Sequence, residues 1–151
     1  MNESLDNARE EFKRVDHLIY VSLKYTRTVD IFINIFERMI SCCDFVIDGF
    51  MLRLKEEKKV AEIPAQARVR AEWLKKHFAH DPEMVKYIDF YLLLRRLAKS
   101  SYTRSNEFRR HVTMTATLDG GEIMEVNIDV MMVYYQALKD FLSYTTPMLN
   151  D

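Results

Sequence analysis

Apolar residues recur at three- and four-residue steps through most of this chain, the period of an α-helix with one buried face. In the first such stretch Leu5, Ala8, Phe12, Val15, Leu18 or Ile19 and Leu23 align, which predicts a helix capped by Ser4 or Asp6 and running to about Tyr25. Thr28 or Asp30 then opens a longer one. Val29, Phe32, Phe36, Met39, Cys43, Val46 and Phe50 form one stripe, and Asp30, Asn34, Glu37, Ser41, Asp44 and Asp48 form the opposite stripe at the same period. Ile33, Ile40, Ile47 and Met51 widen the apolar arc, so this helix either packs centrally or lies in an interface with another chain. Pro64 introduces a third helix through Ala65 to Phe78, proline being suited to a first turn. Asp81 and Pro82 supply the cap and first position of a fourth, which is apolar nearly all round from Tyr87 to Leu94 and basic from Arg95.

The period changes between Val112 and Ile128. Val112–Leu118 is rich in β-branched residues, Asp119-Gly120-Gly121 follows, and Glu122–Ile128 alternates polar and apolar. This predicts a β-hairpin. Asp129 caps a last helix through Tyr144, and Pro147 ends it. The expected architecture is all-α: a four- to five-helix bundle with a short β-hairpin inserted before the last helix, in one domain spanning 1–151.

Composition sharpens this picture. With 151 residues and only 3 glycines and 3 prolines, the chain lacks the turns that sandwiches, propellers and Rossmann-type folds require. Cys42 and Cys43 are adjacent inside an apolar run, so they read as core thiols of a reducing compartment rather than a disulfide framework. Trp73, Tyr87, Tyr91, Tyr134 and Tyr135 are expected in the core or an interface. Met1–Asp16 is polar, with no signal-peptide core, and Val29–Leu54 carries six charges, too many for a membrane span. The expected location is the cytoplasm, with no membrane association.

The net charge of −1 conceals a local asymmetry. Residues 95–111 hold Arg95, Arg96, Lys99, Arg104, Arg109 and Arg110 against Glu107 alone, whereas residues 112–151 hold six acids against Lys139. Guanidinium forks interleaved with Ser100, Ser101, Tyr102, Thr103 and Asn106 suit phosphate oxygens. On an uninterrupted helix Arg104 and His111 stand two turns apart on one face, roughly 10 Å along the axis. Arginine there can hold a phosphate while the imidazole handles a proton, and Glu107, one turn before His111, can orient it. No metal site is expected: His77, His80 and Asp81 have no second cluster to complete one, and no Glu-x-x-His pair occurs. No cofactor-cradling glycine loop occurs either.

The segment Arg104-Ser105-Asn106-Glu107-Phe108-Arg109-Arg110-His111 resembles the motif of HEPN domains, small helical bundles in which an arginine precedes a histidine by four to six intervening residues, shortly before the last helix. Ser105 stands where family members usually carry a polar residue such as asparagine, and Asn106 follows. The resemblance implies RNA binding or metal-independent endoribonuclease activity in a homodimer, of toxin or RNA-processing type. A nucleotidyltransferase is a further implied partner. Arg104 and His111 would be catalytic, and Ser105 or Asn106 would position the RNA. Arg96, Lys99, Arg109 and Arg110 join them as RNA-binding candidates from their charge alone. A second reading is a non-catalytic helical interaction module, motivated by the wide apolar arc of the second helix. A helix-turn-helix DNA reader built on Ala65–Phe78 is disfavoured, because Glu72, Asp81 and Glu83 blunt its basic face.

Overall fold

The structure is a computed structural model that describes residues 2–150. It is mainly helical, with one small antiparallel sheet before the last helix. Helix α1 (Glu3–His17) begins two residues earlier than a Ser4 cap and four earlier than an Asp6 cap would set it, because the Asn2 side chain accepts from Leu5 N at 3.0 Å. It does not run unbroken to Tyr25. A π-turn at Leu18–Ser22 widens the coil before a last turn, α2 (Leu23–Tyr25).

Helix α3 (Val29–Glu56) is the centre of the molecule and packs on α1, α4, α5 and α6. Every member of its apolar stripe, Val29 through Phe50, is buried. Of the residues that widen the arc, Ile47 and Met51 are buried and Ile33 and Ile40 partly so, packed against the same core. Cys42 and Cys43 are buried free thiols within it. Burial pushes Cys42 up to about 12, helped by nearby Glu11, and raises Cys43 as well. Glu11 itself is a buried carboxylate on α1, and it is satisfied by Arg14 at 2.7 Å and Arg38 at 3.4 Å.

Helix α4 (Ala67–His77) starts after Gln66, two residues beyond the expected start, so Pro64 lies in the approach rather than in the first turn. The Pro64 carbonyl instead accepts from Arg70 at 2.9 Å. Trp73 projects from this helix 42% exposed, outside the core, whereas Tyr87, Tyr91, Tyr134 and Tyr135 are all buried. Helix α5 (Pro82–Lys99) is capped by Asp81 as expected, and both Asp81 carboxylate oxygens also accept from the Tyr144 hydroxyl of the last helix.

After α5 the chain forms strands β1 (Ser101–Ser105), β2 (Thr113–Thr117) and β3 (Ile123–Val126), in sheet order β1-β2-β3. The expected hairpin is β2–β3. Met114, Ala116 and Val126 alternate onto the buried face of the sheet, and Gly121 in the turn takes φ +87°, which glycine adopts without strain. Strand β1 is the element that the all-α expectation lacked.

Helix α6 (Ile128–Leu149) is capped by Asn127, which accepts from Val130 N at 2.9 Å, rather than by Asp129. Pro147 lies inside it and does not end it. The last carbonyls find donors elsewhere: Arg53 bonds the carbonyls of Met148 and Leu149, and the Asn2 amide donates to Leu149 O at 3.0 Å. Those partners hold the terminal turn in place despite the missing proline N–H. Among the described residues, no helix is long and apolar enough to cross a membrane.

Candidate nucleic-acid interface

Two ends of strand β1 carry the candidate residues. Helix α5 stops at Lys99, Ser100 turns extended with its hydroxyl on Leu97 O at 2.8 Å, and the chain pairs antiparallel with β2 from Ser101 opposite Thr117 to Ser105 opposite Thr113. Arg96 and Lys99 therefore lie at the start of β1, and Arg104 to His111 lie at its far end. The two-turn helical spacing of Arg104 and His111 does not occur, since Arg104 is in a strand and His111 in the following loop.

Alternation along β1 puts Tyr102 and Arg104 on one face. The Arg104 guanidinium lies over the Tyr102 ring, 5.6 Å from its centroid, and pairs with Asp30 at 3.2 Å and Glu107 at 3.6 Å. The Asp30 hydrogen bond strengthens the hold of this arginine on its proton. Glu107 does not orient His111. Its Oε2 instead accepts from Val29 N at 2.9 Å and so caps the start of α3. Arg104 thus ties the end of β1 to the first turn of α3.

The loop beyond Ser105 is held in a demanding conformation. Asn106 has φ +56° and Phe108 φ +66°, the left-handed region that residues with a Cβ seldom occupy. Phe108 N donates to Arg27 O at 2.7 Å, Arg109 N to Asn106 O at 3.3 Å, and Val112 N to Arg109 O at 3.1 Å. These bonds, with the Glu107 cap, pin the backbone against the α2–α3 junction. Arg27 keeps its Nε buried with no hydrogen-bond partner.

Pinned in this way, the loop turns its side chains outward. Ser105, Asn106, Arg109, Arg110 and His111 are exposed, and the Phe108 ring is 75% exposed. Arg109 and Arg110 make no ion pair among the described residues. Tyr25, two residues before the Arg27 anchor, is 79% exposed. The arrangement offers two unpaired guanidiniums, an imidazole and an aromatic face to solvent on one rigid loop. Such a set binds phosphates and stacks a base.

Of the residues singled out by charge and spacing, Arg104, Ser105, Asn106, Arg109, Arg110 and His111 come together at this end. Arg96 does not join them: Asp119 at 2.8 Å and Glu122 at 2.8 Å engage it in the hairpin. Lys99 is exposed at the same distant end. Spacing arguments missed Phe108, whose signal was a lone large apolar residue among Asn106, Glu107, Arg109 and Arg110. They also missed Asp30 and Tyr25. Among the described residues, no three His, Cys, Asp or Glu side chains are grouped to hold a metal. Neither a protein-family model, nor a curated protein, nor a solved structure matches the chain.

Proposed function

We propose that this protein binds single-stranded RNA through the β1–β2 loop, as a HEPN-like helical bundle carrying an inserted sheet. The observation that supports this is the pinned loop itself: Arg109, Arg110 and His111 beside an exposed Phe108, on a backbone with two left-handed non-glycine residues. Strained backbone concentrates at functional sites, and an unpaired aromatic in a cationic loop has no folding role to explain it. Binding, rather than cleavage, is the part that the geometry supports best, because two carboxylates already occupy Arg104. The HEPN resemblance adds to this proposal a homodimer in the cytoplasm.

The test is fluorescence anisotropy with unstructured and structured RNA across a salt series. On single strands, each phosphate neutralised contributes about −0.7 to the slope of log affinity against log salt. Arg109→Gln with Arg110→Gln should flatten the slope by about 1.4. Phe108→Ala should weaken binding by about 1–3 kcal/mol with the slope retained. A flat salt response in the wild type overturns the proposal. The same RNA incubated in EDTA tests cleavage: loss of cutting in both Arg104→Ala and His111→Ala would add metal-independent endoribonuclease activity. Sedimentation velocity at high micromolar concentration tests the dimer.

A further inference from the structure

At the opposite end of β1 lies a groove of about 1050 Å³, between the start of α4, the last two turns of α5 and the ends of β1 and β2. Its size is that of a small-molecule cleft. Four cations line it, Arg68, Arg95, Arg96 and Lys99, against two carboxylates, Glu72 and Asp119. Those carboxylates have partners already. Asp119 is held by Arg96 at 2.8 Å, and Glu72 lies 3.9 Å from Arg68.

Arg95 and Lys99 are the cations left over. They stand one turn apart on α5, which puts them on the same helix face. No carboxylate reaches ion-pair distance of either among the described residues. Arg95 is nevertheless fixed. Its guanidinium carbon lies 5.8 Å from the centroid of the Tyr91 ring, and its Nη1 is 3.4 Å from the Tyr91 hydroxyl. Tyr91 in turn donates its proton to Asp44 of α3. Asp44 feels the charge of Arg95 without reaching ion-pair distance, so this guanidinium, oriented through a buried tyrosine, stays open to an anion from outside. Beside these cations the groove offers the hydroxyls of Ser101 and Thr117 and the apolar surface of the half-buried Leu92.

We propose that this groove binds a phosphate monoester carried on a nucleoside, with Arg95 and Lys99 as its phosphate ligands and the half-buried Leu92 against the nucleoside. The dianionic monoester matches the two unpaired cations. A free mononucleotide and the 5′-phosphorylated end of an RNA strand share this chemistry. The groove does not depend on RNA binding at the loop.

The experiment has two arms. Calorimetry compares a nucleoside monophosphate with the unphosphorylated nucleoside. Anisotropy compares one short RNA with a 5′-phosphate and with a 5′-hydroxyl. Wild-type protein should favour the phosphorylated ligand by about tenfold in at least one arm, the scale of one charge-assisted contact. Lys99→Gln and Arg95→Gln should abolish that preference, Lys99→Arg should retain it, and Arg109→Gln should leave it unchanged. A preference in the first arm alone identifies a free nucleotide, and in the second alone an RNA end. Equal binding with and without phosphate in both arms overturns the proposal, as does a preference that survives in both glutamine variants. If RNA binds in neither form, the loop reading fails and the calorimetric arm alone decides the groove.

Discussion

Replacing Glu107 by alanine removes the side-chain bond that helps fasten the candidate RNA-binding loop to the core. The first-turn N–H groups of a helix have no partners within it. In α3 the Thr28 hydroxyl reaches only Ile31 N, at 3.4 Å, and the Val29 amide depends on Glu107 Oε2 at 2.9 Å. Val29 is fully buried, so water is poorly placed to replace the carboxylate. Loss of a helix cap costs about 0.5–2 kcal/mol. A buried donor left unsatisfied costs about 1–3 kcal/mol, and the two ranges describe the same event rather than adding. The expected loss for Glu107→Ala is therefore about 1–2 kcal/mol, where the two ranges overlap, a fall in Tm of roughly 2–8 °C for a chain of this size.

Glu107→Gln separates the acceptor from the charge. The amide oxygen can still accept from Val29 N, and only the interaction with the helix dipole and the partly exposed Arg104 pair is lost. Its cost should be about 0.5 kcal/mol. Urea unfolding followed by circular dichroism gives both values, and hydrogen exchange at the Val29 amide locates the effect. Equal stabilities of the alanine and glutamine variants would refute the capping argument. So would an alanine variant within about 0.3 kcal/mol of wild type, well below the cost of a lost cap. The function should follow the same order. With one of its two tethers lost, the loop must be ordered further on binding, so RNA affinity should fall more in Glu107→Ala than in Glu107→Gln.

Three further perturbations test other parts of the structure. Burial raises the Asp44 carboxyl above its usual 3.8, more than the Tyr91 hydrogen bond and the charges of Arg95 and Arg70 lower it. The folded state then holds this proton more tightly than the unfolded state, so its contribution to stability declines as pH rises from about 4 through the raised value. Asp44→Asn keeps an acceptor for Tyr91 and should gain on wild type over that interval in urea titrations; a pH-independent difference would refute the assignment. The Cys42 and Cys43 thiols should resist a thiol reagent at pH 8 until the protein unfolds, and rapid labelling of the native protein would contradict their burial. Gly121→Ala meets no atom within 4 Å but must hold φ +87°, so it should cost about 1 kcal/mol, whereas Gly120→Ala, with no such φ, should stay within about 0.5 kcal/mol.

How much of this was legible along the chain depends on the distance over which each element is decided. Helix α3 is legible because both of its stripes repeat locally, and β2–β3 because Asp119-Gly120-Gly121 sits between two β-type runs. Strand β1 is not, because it is an edge strand whose residues are exposed apart from a half-buried Tyr102, leaving no apolar alternation to read. Only its pairing with β2 defines it. Likewise Pro147 stops a helix by every local rule, and what keeps α6 going is Arg53 from α3 and Asn2 from the start of the chain. The candidate site divides in the same way. Composition locates Arg109 and Arg110, because a cation cluster needs no geometry to be noticed. It cannot tell them apart from Arg104 and Arg96, whose charges are engaged by Asp30 and by the hairpin acids. Glu107, read locally as a partner of His111, is separated by 78 positions from the amide it caps. Which arginines remain available to a ligand is therefore a property of the fold, and the variants that test function are those at the unpaired ones.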